Sequence, residues 1–427
     1  MGQHAARLER SEFWFFLWTQ FLGAFNDNVY KIVVSMFAIH LSESAGYLPA
    51  VGAIFIVPFL FFSGYAGHIA DVFNKRNVLI ATKGCEIVVM ILATAAFGSG
   101  RIEWMLGALF LAALQATFFS PAKYGIVPEM IPEAGLSRAN GFLEMTTFLA
   151  IVLGTALGGL LFSVWKNHLE WIGAVLVIVA VIGTSTSLKI TKVPTSGAKK
   201  RFNINPWGEV KAGIQRLYPD KNLWLTVISI SYFWFLGALL QMEILLFGKE
   251  VMHLNDFWIS LLGTALAIGI GLGSLAAGRL SGLKVELGFV PLGAIGMGLF
   301  LILLSFSDAY LAAASALAFL GFFGGFFIVP LNAFLQQKGG REEKGRLIAT
   351  NNFMNTLGIL LASGVFWILH DNQGIAADRS IFLLGIFTFL VTVYIFKVLP
   401  DSSIPLIRSI RTHTIGRMRG LTPGGGG

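Results

Sequence analysis

The chain has 427 residues, 55% of them hydrophobic and 13% charged, a formal net charge of +8 and a mean hydropathy of +0.73. A soluble domain carries about a quarter charged residues, so composition excludes a soluble globular protein and points to an all-α polytopic membrane protein. The excess Lys and Arg gather in alternate loops, which reads as positive-inside bias and not as a nucleic-acid surface. The single cysteine, Cys85, excludes an intrachain disulfide.

Hydropathy predicts twelve spans, at 13–41, 47–69, 78–98, 103–122, 140–164, 170–188, 222–247, 257–279, 287–306, 309–335, 347–369 and 379–399. The first run is too long for a signal peptide and is expected to stay as a helix. It holds Phe25-Asn26-Asp27-Asn28, and a carboxylate at mid-membrane costs roughly 2.5 to 3.5 kcal/mol on insertion scales. Asp27 is therefore the first candidate site residue. Gln20, Gly23, Asp27 and Lys31 share a helical face, which leaves two readings: a ligand-facing stripe, or an i,i+4 pair that locks this helix to a neighbour.

After the second span, Gly67-His68-Ile69-Ala70-Asp71-Val72-Phe73-Asn74-Lys75-Arg76 places a glycine for close helix approach. It also places a carboxylate able to meet a helix N-terminus or a basic group, and two cations expected at the cytoplasmic surface. Lys83 and Glu86 in the third span form an i,i+3 pair expected to neutralise itself. Pro121 is expected to close the fourth span. Gly154, Gly158 and Gly159 in the fifth have small-residue spacing, expected to seat that helix against the other half of the chain. The segment 189–221 is basic, and Trp207, Val210, Ile214 and Leu217 recur within it at helical spacing. That spacing predicts an amphipathic helix on the cytoplasmic membrane surface.

This segment divides the chain six plus six: a first bundle over 1–188, a linker over 189–221, a second bundle over 222–399 and a basic, glycine-ending tail over 400–427. The halves repeat weakly: Ala139-Asn140-Gly141-Phe142-Leu143-Glu144 opens the fifth span as Thr350-Asn351-Asn352-Phe353-Met354-Asn355 opens the eleventh. Charges stay in the first half, whereas the second offers mainly Asn332, Asn351, Asn352 and Asn355, with Gln241 and Glu243 toward the outer end of the seventh span. An amphipathic ligand suits such a pairing, its chain against an apolar wall from Phe235, Leu239 and the Gly269 to Ala277 face. The scattered histidines form no metal constellation. The even count and the loop charges place both termini in the cytoplasm.

The Gly67 to Arg76 stretch resembles the loop signature of the major facilitator superfamily, with Val72 and Asn74 departing from it. Phe25 to Asn28 together with Phe118-Phe119-Ser120-Pro121-Ala122-Lys123-Tyr124-Gly125, Arg138 to Gly141 and Glu144 is similar to the lysophospholipid transporter branch of that superfamily. The likeness is greatest to the transporter portion of bacterial proteins fused to a 2-acylglycerophosphoethanolamine acyltransferase and an acyl-carrier-protein synthetase. The resemblance implies two six-helix bundles in the bacterial inner membrane and movement of lysophosphatidylethanolamine-type lipids from outer to inner leaflet for re-acylation. It also implies an acyltransferase partner, fused or separate; the residues themselves show no His with an Asp five positions on, no nucleophile elbow and no P-loop, so no enzyme activity and no cofactor are expected in them. Asp27, Asn28, Lys123 and Glu144 are the implied substrate residues, and Gly67, Asp71, Lys75 and Arg76 the implied gate; Lys31 joins the substrate candidates on its charge alone, as a second cation that a phosphate could seek. A proton-coupled exporter of small lipophilic compounds, in which Asp27 or Glu144 titrates, is the alternative.

Overall fold

The computed structural model describes residues 11–41, 48–194, 205–282, 284–340 and 342–398. The tail 400–427 and the middle of the linker lie outside them. The helices are α1 (Ser11–Leu41), α2 (Leu48–Val72), α3 (Lys75–Ser99), α4 (Ile102–Met130), α5 (Leu136–Trp165) and α6 (Leu169–Ser187), then α7 (Pro206–Leu217) in the linker. They continue with α8 (Lys221–Leu246), α9 (Asp256–Leu280), α10 (Phe289–Ser305), α11 (Tyr310–Lys338), α12 (Lys344–Trp367) and α13 (Ala377–Val398). Ten of these are long and apolar enough to cross a membrane. Of the rest, α10 is apolar but only 17 residues long. In α1, Asn26, Asp27, Asn28 and Lys31 dilute a span of 31 residues.

Each predicted span coincides with a helix, with one correction. Pro121 does not close the fourth: α4 runs on through Pro121 and Pro128 to Met130. A proline inside a helix forfeits a backbone hydrogen bond, a loss tolerated where the residue is buried in protein, as Pro121 is. Helices α8 and α12 each widen into a π-turn at the far end, Phe247–Val251 and Ile368–Asn372.

The first six helices pack as α1 on α5 and α6, α3 on α4 and α6, and α2 on α4. The last six pack as α9 and α10 on α11, α10 on α13, and α8 on α12. The sets meet where α5 faces α9 and α11, and where α2 faces α12. At one end, Gly141 and Gly278 let α5 and α9 touch backbone to backbone. A Cβ on Gly141 would lie 2.6 Å from the Ser274 carbonyl oxygen.

Gly154 and Gly158 do not serve that seam. They pack on α1, within the first set, where a Cβ would lie 2.9 Å from the Phe25 carbonyl oxygen and 2.2 Å from Ile32 Cγ2 respectively. Gly159 faces only the Met36 side chain at 3.7 Å. The expectation of a partner in the other half is thus corrected: along α5 the close approach to α9 occurs one helical stretch earlier, at Gly141.

Helix α7 starts where Asn205 accepts from the Trp207 amide and Pro206 fits the first turn. Protein covers much of its apolar face: Val210 and Leu217 are buried and α7 packs on α2 and α12, while Trp207 keeps an exposed edge. Val210 and Leu217 therefore meet protein and not lipid, a third correction.

Candidate functional site

Gly23 lacks a side chain where α1 passes α3, and Gly183 does the same on α6. A Cβ on Gly23 would lie 3.3 Å from Lys83 Nζ, and one on Gly183 2.9 Å from it. The two glycines form the slot that seats this lysine. Lys83 pairs with Glu86 inside the protein, and Asn26 Nδ2 donates to Glu86 Oε1 at 3.1 Å and to the Leu176 carbonyl at 3.1 Å. Burying both partners together, with Asn26 donating to the carboxylate, is the kind of arrangement a buried ion pair requires.

One turn on, Asp27 faces a cavity of about 300 Å³ between the two helix sets. Asp27, Asn28, Lys83, Glu86 and Lys123 line it from the first set; Trp234, Asn332, Gln336, Asn351, Asn352 and Asn355 line it from the second. Two buried oxygens have no hydrogen-bond partner among the described residues and lie on opposite walls, Asp27 Oδ1 and Asn351 Oδ1. A buried acceptor left unpaired costs about 1 to 3 kcal/mol, so both walls favour a ligand that brings donors. Lys123 Nζ, 4.6 Å from the Tyr124 ring centroid, supplies the opposite charge.

The remaining candidates are dispersed. Lys31 does not pair with Asp27; its ammonium lies 5.3 Å from the centre of the Phe55 ring, outside the cavity lining. Glu144 is buried behind the wall, where its Oε1 accepts from Asn332 Nδ2 at 3.0 Å and from the Tyr124 hydroxyl at 3.3 Å. Asn28 lines the cavity while donating to the Ala24 carbonyl. The expected apolar wall is different from the one observed. Leu239 is core, and the Gly269 to Ala277 face packs on α11, where a Cβ on Gly273 would lie 1.9 Å from the Phe322 carbonyl oxygen. Phe55, Phe59, Phe119, Ile151 and Ile359 supply the apolar lining instead.

The Gly67 to Arg76 stretch splits in two. Asp71 crosses to the second set: Oδ1 accepts from the Gly345 amide at 2.6 Å and Oδ2 from the Arg346 amide at 3.1 Å, at the start of α12. A carboxylate on orphan amides at a helix N-terminus is a favoured contact. Gly67 allows it, since a Cβ there would sit 2.6 Å from Ala349 Cβ. Lys75 and Arg76 stay within the first set. Lys75 is buried and pairs with Glu129 at 2.7 Å, which corrects its expected surface position. Arg76 caps the end of α6 through the Leu188 and Ile190 carbonyls, at 2.6 and 2.7 Å.

Sequence reasoning missed three contacts on the same end. Asn140 and Gln336 exchange both amide hydrogen bonds across the seam, at 2.8 and 2.9 Å. Arg346 pairs with Glu209 of α7 at 2.9 Å, and Arg216 of α7 with Glu343 at 3.0 Å. Asn140 stands in the repeated motif, which was the available signal; Glu209 and Glu343 carried none. The hydrogen bonds that join the two sets through Asp71, Ser120, Glu133, Ser137, Asn140 and Glu144 fall at this end or at the cavity.

Apolar helices that close at one end over a polar cavity between two sets define a membrane transporter. Residues 16–363 match the Major Facilitator Superfamily, and the chain belongs to that family of transporters. It is similar to the lysophospholipid transporter LplT of Klebsiella pneumoniae subsp. pneumoniae, 28% identical over 357 residues that cover 81% of this chain and 86% of the relative. LplT of Escherichia coli O139:H28 is 29% identical over 358 residues, with the same coverage. Among solved structures, FucP in the outward conformation superposes with a TM-score of 0.73 at 11% identity, covering 90% of this chain and 98% of that one. The human organic anion transporter MFSD10 gives 0.71 at 13%, covering 90% and 100%. These two likenesses concern the fold alone.

Proposed function

We propose that this chain carries lysophospholipids of the lysophosphatidylethanolamine type across the bacterial inner membrane by alternating access, from the outer to the inner leaflet. The observation that carries the reading is the cavity between the helix sets, which joins Asp27 and Lys123 on one wall to uncharged amides on the other. A zwitterionic head group meets both charges there: its phosphate at Lys123 and its ammonium at Asp27, with Asn28 beside them. Each charge-assisted contact is worth about 1.5 to 3 kcal/mol. The acyl chain needs only the apolar lining from Phe55, Phe59 and Ile359. The similarity to the LplT relatives supports the same substrate class.

In this reading twelve helices cross the membrane as two bundles, α1–α6 and α8–α13, with α7 on the linker and both termini cytoplasmic. The end closed by Asp71 then faces the cytoplasm, and Gly67 and Asp71 are the gate. Lys75 and Arg76 brace the gate from within the first bundle, while Lys31 and Glu144 support the binding wall from behind. The inward-delivered lipid is the substrate for an acyltransferase, fused or separate.

Uptake of labelled lysophosphatidylethanolamine into spheroplasts that lack their own transporter tests this. Chain-dependent uptake is expected, and its absence in cells where the protein is present in the membrane overturns the reading.

A further inference from the structure

Among the described residues of α8–α13, only one charged side chain is buried, and it lies far from the cavity wall. Glu243 of α8 is fully buried. Its Oε1 accepts from His370 Nε2 at 2.9 Å and from the Ser380 hydroxyl at 2.5 Å. Its Oε2 is buried without a hydrogen-bond partner. Three segments meet at this carboxylate: the end of α8, the π-turn that ends α12, and the start of α13. They lie at the end of the molecule opposite Asp71.

Charge decides what this cluster tolerates. A buried carboxylate without a counter-charge costs several kcal/mol, and a bare Oε2 adds to that. One proton held between Glu243 and His370 removes the problem in either form, as carboxylate with imidazolium or as carboxylic acid with imidazole. When that proton leaves, a buried anion faces a neutral ring. The imidazole side chain is 9% exposed, which gives the proton a route to solvent.

Other charges do not substitute. On the elements packed around the cluster, Lys249, Glu250, Asp256, Asp308, Asp371 and Arg379 are exposed and Asp378 is half-buried. Lys249 pairs with Asp256 at 3.5 Å. None of the seven is a hydrogen-bond or ion-pair partner of Glu243 among the described residues. His370 also sits inside a π-turn, a wide helical turn that recurs at functional sites.

We propose that Glu243, His370 and Ser380 form a proton-binding site that fastens α8, α12 and α13 at the end opposite the Asp71 latch. With the proton held, the three helix ends stay together; when it leaves, they loosen. The two ends of the transporter are then governed by different chemistry, a fixed carboxylate on helix amides at one and a titrating pair at the other.

Hydrogen exchange over residues 366–384 of the purified full chain, normalised to intrinsic rates and measured without any lipid substrate, tests the site. Protection is expected to fall about tenfold as the buffer is raised stepwise from mildly acidic to mildly alkaline pH and the pair gives up its proton. Glu243→Gln keeps an acceptor for His370 and Ser380 and removes the charge, so protection is expected to stay high and flat. His370→Gln keeps a donor and removes the imidazole, so the midpoint is expected to move by more than about one pH unit. A flat wild-type profile, or an unmoved midpoint in both variants, overturns the proposal. Because no substrate enters the measurement, its outcome is independent of the lysophospholipid reading.

Discussion

The two sets of six helices solve the same packing problem differently. The core of α8–α13 is one continuous apolar cluster that reaches as far as Phe148 of α5. The core of α1–α6 is divided: Val29 to Ala38, Met90 and Leu176 form one cluster, Phe13 to Leu17, Leu79 and Ile126 another. Gln20, Asp27, Lys83 and Glu86 occupy the layer between. The contrast extends to the repeated motif, where Glu144 in α5 corresponds to Asn355 in α12. One set therefore offers charge to a ligand and the other offers neutral hydrogen bonds. Charges confined to one side of a cavity orient a dipolar head group; charges on both sides leave its orientation open.

Breaking the charged layer has the largest expected effect. Lys83→Met strands Glu86 in the protein interior, and losing one partner of a buried pair costs about 3 to 5 kcal/mol. The apparent melting temperature in detergent is expected to drop steeply. It is expected to recover in Lys83→Met/Glu86→Gln, which keeps an acceptor for Asn26. The matching change in the second set, Asn355→Leu, leaves Ser231 bonded to the Val227 carbonyl at 2.9 Å, so it costs about 1 kcal/mol or less. Equal losses in the two sets would contradict the contrast.

Asp27→Asn probes the charge without a stability cost, because its orphan oxygen already lacks a partner in the protein. Lipid uptake is expected to fall about 10- to 150-fold, the equivalent of about 1.5 to 3 kcal/mol of charge-assisted binding. The melting temperature is expected to hold or rise. Wild-type uptake in this variant would remove Asp27 from the site.

The glycines of α5 give a graded test within the first set. Gly158→Leu forces a side chain into Ile32 and the α1 backbone, an overpacking cost of about 1 to 3 kcal/mol. Gly159→Leu meets only the flexible end of Met36 and is expected to change thermal stability by less than about 0.5 kcal/mol. A similar melting temperature for both variants would mean that α1 and α5 are not in close contact there.

These glycines also show what was legible before the structure. Spacing announced that α5 packs closely, because small residues at helical intervals have that one physical use. The partner was not legible, since α1 and α9 are both apolar and the spacing does not distinguish them. Helix positions followed from hydropathy for the same local reason. Asp27 and the amides of α12 were legible because polar groups in apolar runs are costly and must face something. Lys31 shares the face of Asp27 on a helical projection, yet one further turn carries it against the Phe55 ring, which lines the cavity while Lys31 does not. Lys75 looked like a surface cation because its partner, Glu129, lies 54 residues away on another helix. Contacts set by tertiary placement, including those of Glu209 and Arg216, leave no local trace.

The seam that joins the two sets is expected to respond in its open–closed balance and not in the stability of the fold. Asp71→Asn keeps one acceptor oxygen for the Gly345 amide but removes the negative charge from the start of α12. Charge at a helix N-terminus is worth about 0.3 to 1 kcal/mol, and up to about 2 kcal/mol when partly buried. The Arg346 amide loses its acceptor and meets the new NH2 group instead, a cost that falls on the closed seam while each helix set keeps its own core, so the fold is expected to hold. The equilibrium between states closed and open at this end is expected to shift by about two- to thirtyfold toward open. Spin labels on Phe73→Cys and Glu342→Cys, two exposed positions flanking the seam, in a Cys85→Ser background read this as a longer-distance population. Lys75→Ala separates latch from scaffold. It strands Glu129 within the first set, so it is expected to lower the melting temperature and leave the distance distribution in place. A distance shift in Lys75→Ala and none in Asp71→Asn would move the latch from the helix N-terminus to the buried ion pair.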